Sequence, residues 1–180
     1  MKALVYTGTE EIKFKSMSSP APLEGESRIK IKAVGICGSD MHAYHGKDER
    51  RVPPLILGHE AAGVVVSGKN AGQHVVINPL ITCGTCKDCL SGRTNLCVNR
   101  KLIGMNYPGA FAEFINISEQ NLIPLPEGME FTHASLTEPA GTSFHALKLA
   151  QQALSVSLSE VNALVIGGAV SYTHLRAHET

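Results

Sequence analysis

The chain has 180 residues, of which 43% are hydrophobic and 18% are charged, a composition typical of folded globular proteins. Sixteen basic and sixteen acidic residues cancel, which argues against a surface for nucleic acid or anionic membranes. No apolar run reaches the roughly 20 residues of a spanning helix, and the charged N-terminal segment does not have the apolar core of a signal peptide. We therefore expect a cytoplasmic protein with no nucleic-acid or membrane partner.

Short strands separated by glycine and proline dominate the first 125 residues. β-branched residues and alternation predict strands in KALVYT, RIKIKAVGI, AAGVVV, QHVVINPL and AFAEFINI. Many short strands with frequent turns are typical of a β-sandwich or barrel. Near residue 131 the spacing of apolar residues becomes helical, and Pro139 and Gly141 are expected to break or restart the helix.

The first candidate site combines the segment GICGSDMH with GHEAAG, about twenty residues later. The thiolate of Cys37, the imidazole of His59 and the carboxylate of Glu60 could together bind zinc and leave a coordination position for water or substrate. Simpler explanations exist, because an isolated cysteine is often a small core residue and a His-Glu pair is often a satisfied cleft pair. Gly63 stands where the H-E-x-x-H motif has its second histidine, which disfavours a zinc protease.

A cluster of four cysteines follows in the stretch TCGTCKDCLSGRTNLC: Cys83, Cys86, Cys89 and Cys97. Two residues separate the first cysteine from the second and the second from the third, and the fourth follows after a longer gap. Gly84 and Gly92 are expected to adopt the positive φ that tight turns need. In a reducing compartment such spacing favours a metal site, the alternative being two disulfides or reduced surface thiols. Four sulfur ligands fill a tetrahedral zinc shell, so the zinc bound here should be structural.

The segment VNALVIGGAV is a fully apolar run that reaches Gly167 and Gly168. It is typical of a buried parallel strand that opens a dinucleotide-binding βαβ unit, although a glycine pair alone does not define such a site. Ala169 stands where the second fingerprint glycine is expected. Residues 171–180 have no helix-packing pattern, so we expect foreign sequence on a truncated chain, with a native short tail as the alternative.

The zinc-dependent medium-chain dehydrogenases carry a series of motifs that this sequence resembles, in order, over residues 1 to about 170: GICGSDMH, GHEAAG, the four-cysteine segment, GAFAEFINI, TEPAGTSFHAL and LVIGG. The resemblance implies a mainly β fold with some α, in which residues 1–130 form a GroES-like, partly open β-barrel catalytic domain with a zinc lobe at 80–100. Residues 131–170 would be a linking helix and the first strand of a truncated NAD(P)-binding Rossmann domain.

The resemblance also implies two zinc ions, one catalytic and one structural. Cys37 and His59 would bind the catalytic zinc, and Glu60 would be the adjacent carboxylate that binds directly or exchanges with water. Glu138, in TEPAG, falls where the polyol and threonine dehydrogenases place a second carboxylate ligand. The simple alcohol branch is expected to have a cysteine near there, and this sequence has none after Cys97. The alternative for Glu138 is a charge favoured by the helix dipole.

The activity that the resemblance implies is oxidation of a secondary alcohol, polyol or threonine-like substrate to a carbonyl, with hydride transfer to NAD or NADP. Ser39 and His42 would relay the released proton, although both could simply be polar residues of a turn. The fragment itself is expected to bind zinc without turning over, and homo-oligomers are possible for a full-length protein. A zinc-stabilised binding module and an inert fragment are the alternatives, but a binding module would not need an open second metal site.

Overall fold

The computed structural model describes three segments of the chain: residues 1–19, 21–154 and 157–162. The chain divides into two compact units, Met1–Ser135 and Leu136–Thr180. The predicted strand that carries Gly167 and Gly168, and the predicted foreign tail, lie outside the described residues.

Within the described residues the first unit contains ten mostly short strands: β1 Lys2–Gly8, β2 Glu11–Ser16, β3 Glu26–Gly35, β4 Leu55–Ile56, β5 Glu60–Ser67, β6 His74–Ile77, β7 Leu80–Ile81, β8 Lys101–Leu102, β9 Phe114–Ser118 and β10 Leu122–Pro124. They form three sheets with the strand orders β2-β1-β4, β10-β6-β5-β3-β9 and β7-β8. All of these pairings are antiparallel, so turns and loops suffice to connect the strands.

The main hydrophobic core lies against the five-stranded sheet. Ile29 and Val65 are paired across β3 and β5 and are almost completely buried. Burying a side chain of this size contributes about 1.5–3 kcal/mol, and a slip of one residue would turn the whole apolar set toward solvent. The core therefore determines the register. Its buried members are Ile29, Ala61, Val65, Val75, Ile77, Ile103, Ala110, Ile115 and Ile117.

The register between β3 and β5 determines which ends of these two strands lie side by side. The pairing runs from Arg28 opposite Ser67 to Gly35 opposite Glu60. The end of β3 consequently lies beside the start of β5, and residues that are distant in sequence are brought together there.

The described helices are α1 Gly38–Tyr44, α2 Lys87–Leu90, α3 Phe131–Ala134 and α4 Thr137–Ala153. The expected restart near Pro139 takes the form of a gap between α3 and α4. Pro139 is the third residue of α4, where its missing N–H leaves no intrahelical hydrogen bond unmade. Gly141 does not interrupt α4. None of the described helices combines the length and the apolar character that crossing a membrane requires.

Candidate metal centres

Three side chains of the first candidate site converge at the junction of β3 and β5. Cys37 follows β3 in an extended conformation and caps the N-terminus of α1, while His59 and Glu60 lie at the start of β5. One ligand atom from each residue lies within 4.8 Å of the other two. His59 is 4% exposed, Glu60 is 6% exposed and Cys37 is half-buried. A thiol, an imidazole and a carboxylate at this spacing could share one metal ion.

Asp40 connects the parts of this site, although no sequence motif marks it as a site residue. Its carboxylate is buried and accepts hydrogen bonds from the backbone N–H groups of Cys37 at 3.1 Å and Gly58 at 3.2 Å. The sequence signal was an acidic residue at the third position of a helix, which commonly bonds back to the capping residue. Asp40 thus joins the start of α1 to the segment that precedes β5.

The Asp40 carboxylate also faces the His59 ring. Its Oδ1 lies 3.6 Å from His59 Nδ1, which is too long for a direct hydrogen bond. Among the described residues, His59 Nδ1 is the one buried side-chain nitrogen or oxygen without a hydrogen-bond partner. Because Nδ1 faces a carboxylate, the opposite nitrogen, Nε2, is the one available to a metal, an arrangement frequent in zinc sites.

The electrostatics of the site favour a cation. Burial lowers the pKa of His59, but its contacts with Asp40 and Cys37 outweigh burial and raise that pKa to about 10. The hydrogen bond between Cys37 and His59 lowers the pKa of the Cys37 thiol, although burial raises it. The hydroxyl and the backbone amide of Ser39 lower the Cys37 pKa further. A thiolate and two buried carboxylates surround one imidazole, so the donor set fits a divalent metal ion.

Space for the Glu60 carboxylate depends on its strand partner, Gly35. A Cβ atom at Gly35 would lie only 2.2 Å from Glu60 Oε2 and 3.2 Å from Glu60 Cβ. Any larger residue at this position would push the carboxylate away. Gly35 therefore leaves the room in which Glu60 points toward Cys37 and His59.

The two predicted relay residues lie on α1 in different surroundings. Ser39 is half-buried, accepts a hydrogen bond from Arg51 Nη2 at 3.2 Å and contacts Cys37. His42 is an exposed residue of the last turn. Ser39 is thus adjacent to Cys37, whereas His42 lies at the solvent side of the same helix.

Glu138 belongs to the second unit and lies in the first turn of α4. This position agrees with the helix-dipole interpretation of its charge. Its role as a second carboxylate ligand remains a prediction.

The four-cysteine segment forms a lobe, residues 82–100, between two short paired strands. β7 and β8 close its base by pairing Leu80 with Leu102. Asn121 Nδ2 donates to the carbonyl oxygens of Asn78 at 2.8 Å and Leu80 at 3.0 Å. These contacts fix the base of a lobe that has little apolar core of its own.

The sulfur atoms inside the lobe have the spacing of a tetrahedral metal site. Cys83 Sγ lies 3.5 Å from Cys97 Sγ and 4.0 Å from Cys89 Sγ, and all four sulfurs are within 4.8 Å of one another. Four sulfurs bound to one zinc are about 3.8 Å apart, whereas bonded sulfurs are about 2.05 Å apart. All five cysteines are free thiols. The geometry fits a bound metal better than a pair of disulfides.

Backbone N–H groups of the lobe favour the thiolate form of Cys83, whereas burial and the neighbouring thiols raise the pKa of Cys89 to about 11. The N–H of Cys86 donates to Cys83 Sγ at 3.4 Å, and the N–H of Cys83 donates to Cys97 Sγ at 3.4 Å. Backbone hydrogen bonds from Thr85 and Cys86 lower the pKa of Cys83 to about 5. Gly84 and Gly92 have φ angles of 71° and 79°, as their turns were predicted to require.

Comparison with known proteins agrees with this architecture. Residues 23–127 match the alcohol dehydrogenase GroES-like domain. L-galactonate-5-dehydrogenase of Escherichia coli K12 is 37% identical over 173 residues, which are 93% of this chain and 51% of that protein. L-threonine 3-dehydrogenase of Yersinia enterocolitica is 35% identical over 177 residues, which are 93% of this chain and 50% of that protein.

A solved structure, described as a short chain alcohol dehydrogenase from E. coli CFT073 complexed with NADH, superposes with a TM-score of 0.79. It is 29% identical, and the match covers 84% of this chain and 46% of that one. The chain spans about half the length of the curated relatives it matches. These matches confirm the predicted mainly β, GroES-like fold, and the chain belongs to the zinc-dependent medium-chain dehydrogenase family.

Proposed function

We propose that the chain carries the catalytic domain of a zinc-dependent dehydrogenase that oxidises a hydroxyl group of a polyol, sugar acid or threonine-like substrate to a carbonyl. The observation that carries the proposal is the convergence of Cys37, His59 and Glu60, three different ligand types, at one buried point. Three protein ligands leave a position open for a substrate oxygen, as in catalytic zinc sites. The relatives act, by their names, on a sugar acid and on threonine.

In this proposal Cys37, His59 and Glu60 would hold a catalytic zinc, and a substrate oxygen would complete its ligand set. The bound zinc would supply Lewis-acid polarisation of the alcohol oxygen, and NAD or NADP would accept the hydride. Asp40 keeps the His59 ring in the orientation that offers Nε2 to the metal.

The proton that the alcohol loses is assigned to residues of α1. Ser39 lies two residues after Cys37 and hydrogen-bonds to it, and its hydroxyl would take part in transferring the proton from the alcohol. His42 is exposed on the same helix and would pass the proton to solvent. Glu138 is kept as the second carboxylate ligand that the family resemblance implies.

A second zinc is proposed for the lobe, with the thiolates of Cys83, Cys86, Cys89 and Cys97 as its ligands. Four sulfur ligands leave no open position, so this zinc would be structural. Zinc binding by such sites is worth on the order of 10 kcal/mol in peptides, enough to order a polar lobe. Free thiols in two metal-type clusters also support a reducing, cytoplasmic location.

The first test is the zinc content per chain, measured by elemental analysis on the wild type and on two matched variants, Cys37→Ser and Cys97→Ser. We expect two zinc ions in the wild type and one in each variant, because each substitution removes a ligand from one site only. Elemental analysis of the double variant should find none. One zinc in the wild type that persists in Cys37→Ser would contradict the catalytic site.

The second test is dehydrogenase activity with the complete protein, followed as NADH or NADPH absorbance with sugar acids, polyols and threonine as substrates. Cys37→Ser should abolish turnover, because it removes a metal ligand. Turnover that survives in Cys37→Ser at the wild-type rate would refute the assignment of this site.

A further inference from the structure

One cationic side chain is buried close to the proposed catalytic site without being part of it. Arg51, in the loop between α1 and β4, is 2% exposed. Its guanidinium donates Nε to the Gly104 carbonyl oxygen at 3.0 Å, Nη1 to the carboxylate of Asp48, and Nη2 to Ser39 Oγ at 3.2 Å. Arginine side chains are rarely buried unless the N–H groups of the guanidinium have hydrogen-bond partners. Here one of those partners is the hydroxyl beside Cys37.

The contact with Arg51 restricts what the Ser39 hydroxyl can do. A guanidinium is only a donor, so Ser39 Oγ must act as the acceptor in this hydrogen bond. The single proton of the hydroxyl is then free to point to the other side, where Ser39 contacts Cys37. A serine without such a partner would distribute among its staggered rotamers.

We propose, on the basis of the function proposed above, that Arg51 is a positioning residue that holds the Ser39 hydroxyl beside Cys37, with its proton directed at the Cys37 sulfur while no substrate is bound. The Asp48 carboxylate and the Gly104 carbonyl hold the guanidinium in place. The hydrogen bonds of Arg51 go to Gly104, Asp48 and Ser39, so Arg51 would act on the site through Ser39.

The neighbouring residue, Arg50, offers a matched control. Arg50 Nε also pairs with Asp48, at 2.8 Å, but its side chain is 70% exposed and the Arg51 side chain is 1% exposed. Of the two arginines, Arg51 is the one that donates to Ser39. Replacing Arg50 therefore removes a similar positive charge near Asp48 and leaves the hydrogen bond from Arg51 to Ser39 in place.

The test uses the chain loaded with Co²⁺ in place of zinc, because thiolate-to-cobalt charge transfer reports hydrogen bonds at the sulfur ligands. The spectrum of Cys37→Ser is subtracted to remove the contribution of the lobe. A hydrogen bond lowers the energy of the sulfur lone pairs, so Ser39→Ala should move the remaining band to longer wavelength.

Arg51→Lys should move the band in the same direction as Ser39→Ala, since lysine keeps the charge beside Asp48 but cannot maintain the three-way contact. In the double variant of Arg51→Lys with Ser39→Ala, the band should lie where Ser39→Ala alone places it. Arg50→Met should leave the band unchanged. Arg51→Met is a second variant, used where circular dichroism shows that it folds.

Several results would overturn the inference. An unchanged band in Arg51→Lys, or in Ser39→Ala, would show that the arginine does not orient a hydroxyl at the metal ligands. Additive shifts in the double variant would show that Arg51 acts independently of Ser39. An equal shift in Arg50→Met would assign the effect to the charge of Asp48.

The same spectra separate this inference from the proposed function. A difference spectrum of zero between the wild type and Cys37→Ser would mean that Cys37 holds no metal, which would refute both. A clear difference spectrum with no response to Arg51→Lys would refute the inference alone.

Discussion

Gly35→Ala tests how the fold makes room for the proposed catalytic metal. The new Cβ would lie 2.2 Å from Glu60 Oε2, whereas real contacts of this kind are rarely closer than 3.0 Å. The carboxylate oxygen must therefore move by about 1 Å, and metal–ligand distances tolerate only about 0.2 Å. The oxygen is the far end of a side chain, so we expect the fold to survive and Glu60 to leave the metal.

The magnitude follows from comparable changes around metal sites, where disturbing the support of a ligand lowers metal affinity about tenfold to hundredfold. Competition titration with a chromophoric zinc chelator would measure the affinity of the weaker site, and thermal unfolding of the metal-free chain would measure the fold. The matched control is Gly38→Ala in the same segment, because a Cβ there has nothing within 4 Å. Unchanged zinc affinity in Gly35→Ala would refute the reasoning.

Three further predictions concern stability. Cys97→Ser, or a zinc chelator, should make residues 82–100 the first site of limited proteolysis, because the proposed metal replaces a core there; early cleavage elsewhere would contradict this. Asp40→Ala should cost about 1–3 kcal/mol in urea unfolding for each of the two buried N–H groups it leaves unpaired, and Asp40→Asn, which keeps an acceptor, should cost less; equal losses would argue against the hydrogen-bond explanation. Arg50, and to a smaller extent Arg51, hold the pKa of Asp48 below its ordinary value of 3.8. The ionised Asp48 therefore adds to the free energy of unfolding at neutral pH, and this stabilisation is lost as the pH falls below about 4. Acid unfolding should therefore be less steep in Asp48→Asn, and an identical pH profile would contradict the assignment.

The parts of the site that depend on local spacing could be predicted from the sequence. The cysteine spacing and the turn glycines of the lobe are features of a short stretch, and Gly84 and Gly92 have the predicted positive φ. The long strands β3 and β5 were also predictable, because β-branched residues alternate along them. The convergence of Cys37 with His59 then follows from pairing two neighbouring strands.

Contacts that depend on the folded chain could not be predicted. The helix α1 is not expected from GSDMHAY, since Ser39 and Asp40 are common in turns. It forms because Asp40 bonds back to Cys37 while remaining buried against the segment before β5. The Arg51 contact joins residues 53 positions apart, and no local pattern indicates it. β2 is also missed, although its apolar and charged residues alternate as in a strand, and its side chains are exposed throughout in the fold.

Gly104 lies between the lobe and the proposed catalytic site, and its contacts predict that the two sites are coupled. It follows β8, which closes the lobe, and its Cα packs so closely on Gly58 that an added Cβ would lie 3.0 Å from the Gly58 carbonyl oxygen. Gly58 directly precedes His59, and the Gly104 carbonyl also receives Arg51. Ordering the lobe therefore positions the Gly104 backbone, which contacts Gly58 and Arg51 beside the proposed catalytic site. A coupling free energy is reciprocal. Zinc bound in the lobe should therefore raise the zinc affinity of the proposed catalytic site, and zinc in that site should raise the affinity of the lobe by the same factor.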